Sequence, residues 1–141
     1  MSNGIAARKI DSLSFEENSL MLSLGLITVK PMLYVCNLSE DDIIEGNAFS
    51  KAVSEKAKSE NCGYTFVSAQ IEQELSLLDE KERNEYLLSI GLEEPTLNRL
   101  IRSGYNLLDL ISFFTVGPKE AHGWTATNGV KAPQAAGKIH T

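Results

Sequence analysis

The stretch from residue 31 to residue 40, Pro-Met-Leu-Tyr-Val-Cys-Asn-Leu-Ser-Glu, constrains this chain more than any other. A short apolar run rich in strand-favouring residues breaks off into Asn37-Leu38-Ser39-Glu40. Near-continuous apolar runs of this length belong to strands covered on both faces, the usual state of a parallel sheet. The end of such a strand is where open α/β sheets hold ligands. An Asn amide placed there offers an acceptor and two donors in one plane, which suits it to the edge of a purine. A carboxylate three residues later can accept from the N1–H and 2-amino group of guanine, whereas adenine lacks both donors. In Asn-Lys-x-Asp loops of GTPases that carboxylate is Asp. Glu40 carries it about one methylene farther, enough to spoil a bidentate fit. The loop could then hold adenine through backbone groups at Leu38; the other reading of the tetrapeptide is an ordinary polar turn after a strand, which is common in α/β proteins.

The pattern around this segment is strand–helix–strand–helix, the signature of a parallel α/β sheet. Ser14 and Glu17 form a capping box, Leu20, Met21 and Leu24 fall on one helical face, and Gly25 stops the helix. Phe49, Val53 and Ala57 recur every four residues, so an amphipathic helix is expected over 47–59. Asn61-Cys62-Gly63 turns into a second strand, Tyr64–Val67, which ends in Ser68-Ala69-Gln70. Ile71, Leu75 and Leu78 line the next helix, Asp79 and Glu82 cap another that Gly91 stops, and Pro95 fits the first position of a third. Leu97, Leu100, Ile101, Tyr105 and Leu108 give that third helix an apolar stripe. The acidic run from Glu72 to Glu85 reads as a solvated face. From Leu110 the texture changes to two strands, Ile111–Val116 and Ala121–Thr127, joined at Gly117-Pro118. The turn Asn128-Gly129 and a helix beginning at Pro133 follow. Two strands cannot make the middle of a doubly covered sheet, so the pattern is that of part of a larger fold.

Composition excludes several function classes. The 141 residues carry 13 basic and 19 acidic side chains, a net charge of −6, which disfavours non-specific nucleic-acid binding over the whole surface; no DNA-specific partner is expected. Residues 119–141 differ, with Lys119, Lys131 and Lys138 against Glu120 alone, together with His122 and His140. Those lysines and Trp124 are a candidate RNA-facing surface. The histidines lack partners at metal-ligand spacing and read as packing or polar residues. Cys36 and Cys62 read as reduced core thiols. No signal-peptide apolar region and no run of about 20 apolar residues occurs, so a cytoplasmic protein without a membrane partner is expected.

Several long matches in a fixed order resemble the YchF family, Obg-like ATPases within the wider group of P-loop proteins. They are Leu26-Ile27-Thr28-Val29-Lys30-Pro31 leading into the strand, Asn37-Leu38-Ser39-Glu40 as the base motif, and Ser68-Ala69-Gln70 where related GTPases carry Ser-Ala-Lys. Leu92–Pro95 and Arg99–Tyr105 are similar to the family's linker helices. Phe113–Glu120 and Ala132–Thr141 are similar to the start of its TGS domain, a β-grasp module.

The resemblance implies an α/β fold: a partial P-loop NTPase-type parallel sheet with helices, followed by an incomplete β-grasp. Residues 1–25 correspond to the tail of a helical insert and its return segment. Residues 26–107 correspond to the C-terminal part of the nucleotide-binding domain, and 108–141 to the first part of TGS. It also implies that the intact family member hydrolyses ATP, with GTP as the second candidate, using Mg²⁺, and associates with the ribosome or its large subunit. Asn37, Leu38, Ser39 and Glu40 would bind the base from one loop, and Ser68, Ala69 and Gln70 from the other. In an intact protein, Leu38→Lys with Glu40→Asp is expected to shift preference toward GTP. The phosphate-binding G-x-x-x-x-G-K-[ST] is missing from the sequence. Ala132–Ile139 imitates its end at Gly137-Lys138, but Ala132 stands for its first glycine, Ile139 for its Mg²⁺-binding hydroxyl, and Pro133 interrupts it. No catalytic residue and no metal ligand is therefore expected here. The alternative is a non-enzymatic ribosome- or RNA-binding adaptor acting through the TGS-like part.

Overall fold

The computed structural model describes residues 5–10 and 13–139; His140 and the first four residues of the leader reading lie outside them. Strand β1 (Leu33–Asn37) pairs in parallel with β2 (Gly63–Val67), Leu33 opposite Gly63 and Asn37 opposite Val67. A parallel pair needs a long crossover, and helix α2, after α1 (Phe15–Ser23), supplies it over Ala48–Ser59. The turn into α2 requires glycine. Gly46 has φ +72°, and a Cβ there would meet Ser50 Oγ at 2.6 Å. Asn47 caps the helix by accepting from the N–H groups of Phe49 and Ser50.

The expected inner face of α2 is only partly right. Ala57 is fully buried and Val53 half-buried, but Phe49 is 84% exposed. Ser50, whose hydroxyl accepts from the Asn47 N–H at 2.9 Å, takes the buried position beside the Gly46 turn. The capping geometry, not apolarity, sets the rotation of the first turn.

Helices α3 (Ala69–Leu77), α4 (Glu80–Ser89) and α5 (Thr96–Leu107) follow, with the Asp79–Glu82 capping box formed as expected. Pro95 is the cap of α5 rather than its first residue. Glu72 on α3 explains the shift: its carboxylate accepts from the Leu97 N–H at 2.9 Å and the Thr96 hydroxyl at 2.7 Å, satisfying the helix start from outside. Glu72 and Glu74 are thus partnered, and the acidic run is not a purely solvated face. Leu97, Ile101 and Leu108 remain about half exposed. Leu100 and Tyr105 of the stripe are half-buried, and Ser103 and Leu107 line a cavity shared with Leu33 and Gly63 of the sheet.

The hydrophobic core lies under the C-terminal ends of the strands. Leu38, Ile43, Ile71, Leu75, Leu87 and Leu92 form it, with Cys36, Phe66, Tyr86 and Ile90 packed against them. β1 itself is less covered than its sequence suggests, with Val35 47% exposed, because β2 is its only sheet neighbour among the described residues. Cys36 and Cys62 are free and half-buried. At the opposite end, Glu60 accepts from the Tyr34 hydroxyl (2.7 Å) and pairs with Lys56 (3.0 Å) and Lys9 (3.4 Å). The tyrosine bond and the lysines together lower its pKa to about 2.

Strands β3 (Leu110–Val116) and β4 (Ala121–Thr127) form an antiparallel hairpin, and α6 (Ala132–Gly137) follows with Pro133 in its first turn. The fold is therefore α/β: a small parallel sheet with helices, then a hairpin and helix in the order that opens a β-grasp. Among the described residues no helix is long and apolar enough to cross a membrane.

Candidate functional site

The two loops named by the sequence meet at one end of the β1–β2 pair. Asn37 closes β1, and its side-chain Oδ1 accepts from the Ala69 N–H at 3.0 Å. That bond fixes the amide's orientation and satisfies one of the free donors at the start of α3. Nδ2 is left as a donor with no partner among the described residues.

Leu38 divides its roles. Its N–H extends the sheet ladder to the Val67 carbonyl at 2.8 Å, and its side chain, 8% exposed, sits in the core with Ile43 and Ile71. Of its backbone groups only the carbonyl is open to a ligand. This corrects the design that puts lysine at position 38, since the position faces the core and not the base.

Ser39 is exposed and its hydroxyl donates to Asp42 at 3.1 Å; Asp42 also accepts from the Asn47 amide at 2.8 Å. The base loop is thereby tied to the cap of α2. Glu40 is half-buried and accepts from the Tyr86 hydroxyl at 3.0 Å. The same hydroxyl donates to Glu74, whose other oxygen accepts from Gln70 at 3.3 Å. The Glu74 bond is the main cause that raises the Tyr86 pKa above the usual phenol value, with burial and Glu40 adding to it. Conversely, Tyr86 and then Gln70 lower the Glu74 carboxyl.

In the second loop, Ala69 and Gln70 are exposed but Ser68 is fully buried. Its hydroxyl accepts from the Ile71 N–H and its own N–H donates to Thr96 Oγ1 at 3.1 Å. Ser68 holds the loop's shape from beneath. Sequence reasoning missed Glu72, Glu74, Tyr86 and Thr96. The first two were hidden in an acidic run, Tyr86 lies in a helix with little apolar periodicity, and Thr96 looked like an ordinary first-turn residue. Thr96→Val keeps the side-chain shape and leaves the Ser68 N–H without its acceptor, a loss of about 1–3 kcal/mol. The Ser68 amide is expected to exchange with solvent about tenfold faster or more by NMR, with α2 amides unaffected; equal rates would show that the hydroxyl does not hold the loop.

Trp124 Nε1 donates to Thr115 Oγ1 at 2.9 Å, the His122 ring lies 4.4 Å from the Trp124 ring, and Lys138 donates to the Thr125 carbonyl at 3.1 Å. Among the described residues no group of three or more His, Cys, Asp or Glu side chains is placed to hold a metal ion.

Comparison with known proteins agrees along the chain. The family model YchF-GTPase_C, described as "Protein of unknown function (DUF933)", matches residues 110–141. A "Ribosome-binding ATPase YchF" of Escherichia coli O157:H7 is 44% identical over 141 residues, covering 100% of this chain and 38% of the relative. The protein of the same name from Bacillus subtilis (strain 168) is 40% identical over 128 residues, covering 89% of this chain and 35% of the relative. Among solved structures, that of the Schizosaccharomyces pombe YchF GTPase superposes with a TM-score of 0.81 at 34% identity, over 94% of this chain and 35% of that one. The chain thus spans little more than a third of the relatives it matches, and over that span its sequence and its fold place it in the YchF family.

Proposed function

We propose that these residues form the purine-reading part of a ribosome-associated ATPase, with ATP as the nucleotide and GTP as its competitor. Residues 1–25 serve as the return from a helical insert, 26–107 as the C-terminal part of the nucleotide-binding domain, and 108–141 as the opening of a TGS domain. The names of the relatives, ribosome-binding ATPases, support the ribosome and the nucleotide as partners of the whole protein. Mg²⁺ is the metal of the whole protein in this reading, and no step through it is derived from these residues.

The observation that carries the reading is the Asn37–Ala69 bond. With Oδ1 held, Asn37 presents Nδ2 as a donor suited to the N7 acceptor of a purine. The Leu38 carbonyl then complements the exocyclic amino group of adenine. In guanine the same position carries a carbonyl oxygen, which would face an acceptor with an acceptor. Ser39 braces the loop through Asp42, and Ala69 and Gln70 supply the opposite wall.

Asn37→Asp separates base reading from loop architecture. A carboxylate still accepts from the Ala69 N–H but cannot donate to the base. Titration of the isotope-labelled chain with adenosine 5′-monophosphate, followed by NMR, is expected to show at least about a tenfold loss of affinity, the equivalent of one charge-free hydrogen bond or more, while the Ala69 amide stays protected. Unchanged affinity would remove Asn37 from the site.

A further inference from the structure

We propose that Tyr86 on α4 is a specificity-positioning residue, which holds the Glu40 carboxylate away from the base and so prevents it from accepting guanine's donors. The inference rests on the purine-site reading above and adds a residue from outside both loops.

The geometry has three parts. Glu40 belongs to the base loop, three residues beyond Asn37, where a carboxylate can reach the N1–H and 2-amino edge of guanine. Its Oε2 lies 3.0 Å from the Tyr86 hydroxyl. Tyr86 cannot follow Glu40 outward, because its hydroxyl also donates to Glu74 on α3 and its ring packs against the core beside Ile90. Gln70 donates to the other Glu74 oxygen and completes a chain running from one base loop to the other. A phenol has one proton, so the two carboxylates share a single donor. Held by one oxygen toward a hydroxyl on α4, the carboxylate is turned from the orientation in which both oxygens face the base. The bidentate acceptance that guanine recognition needs is therefore lost. The tether adds to the effect of side-chain length, since an unrestrained Glu keeps rotamer freedom with which to adjust its reach. The tether removes that freedom.

Tyr86→Phe keeps the ring in the core and deletes the hydroxyl. Adenosine and guanosine 5′-monophosphates, each titrated into the labelled 141-residue chain, report the two affinities by NMR, and the same spectra report folding. The variant is expected to gain about three- to tenfold in affinity for the guanosine nucleotide, with little change for the adenosine nucleotide. Tyr86→Phe combined with Glu40→Gln should cancel the gain, because an amide cannot accept both guanine donors. Glu74→Gln disturbs the same network but leaves the tyrosine to hold Glu40, so no gain for guanosine nucleotide is expected. An unchanged ratio in Tyr86→Phe with Asn37-dependent adenosine binding intact overturns this inference alone. Equal gains in Tyr86→Phe and Glu74→Gln also overturn it, since they point to general loosening. Absence of Asn37-dependent binding in the unaltered chain overturns the purine-site reading and this inference together.

Discussion

Leu38→Lys strips the hydrogen-exchange protection from the start of α3. Amides at Ile71 and Leu75 are expected to exchange at least about a hundredfold faster, the equivalent of roughly 3 kcal/mol. Leu38 is 8% exposed and packs with Ile43, Ile71, Leu75, Leu87 and Leu92. A lysine there loses the apolar contacts and must either bury an ammonium or force its way out through the base loop, and an unpaired buried charge is the costlier outcome. Leu38→Met, with similar volume and no charge, should cost less than about 1.5 kcal/mol and leave the same amides protected. If lysine were tolerated as well as methionine, the Leu38 side chain would have to point to the ligand side, and the assignment of the core beneath the loop would be wrong. The result also bears on design. Rebuilding an Asn-Lys-x-Asp loop here demands a repacked core before it can change base preference.

ATP turnover by these 141 residues is expected to stay at the rate of the buffer. Phosphoryl transfer depends on backbone donors and a lysine that cradle the β- and γ-phosphates, and on a metal ion that bridges them. The sequence holds no G-x-x-x-x-G-K-[ST], and the segment that imitates its end lies on α6, with Pro133 in the first turn. Under the proposed function, the residues that gather at the strand ends, Asn37 to Glu40 and Ser68 to Gln70, address a base and not a phosphate chain. Release of inorganic phosphate from ATP with Mg²⁺, measured across the chromatographic peak, is the check. Turnover that tracks the protein and disappears on chelation would require a phosphate cradle that none of these elements supplies.

Tyr86 and Leu38 show why part of the site was legible and part was not. Asn37 stands out because a polar residue at the end of an apolar strand has few local explanations, and its meeting with Ala69 at the strand ends follows from the parallel pairing of β1 and β2. The caps were equally readable: Ser14 with Glu17 and Asp79 with Glu82 act within one turn, so adjacent residues decide them. Phe49 misled the periodicity because Ser50 serves the Asn47 cap and turns the helix's first apolar residue outward. The apolar stripe of α5 misled for a different reason. Only part of it is covered: Leu100 and Tyr105 are half-buried, whereas Leu97, Ile101 and Leu108 keep about half of their surface in solvent.

The sequence alone determined what depends on neighbours along the chain: which segments are helix or strand, where they stop, and the order of polar groups in the two loops. These follow from backbone propensity, turn chemistry and short-range hydrogen bonds, which act over a few residues. Tertiary structure alone decided which side of each loop faces the core and which partners its polar atoms take. Leu38 turned inward because the Val67 carbonyl holds its N–H and Ile71 and Leu75 wait beneath it. Glu40 turned toward α4 because Tyr86, 46 residues away, brings a hydroxyl within 3.0 Å. Such choices are made by groups far apart in sequence, whose meeting no local period encodes.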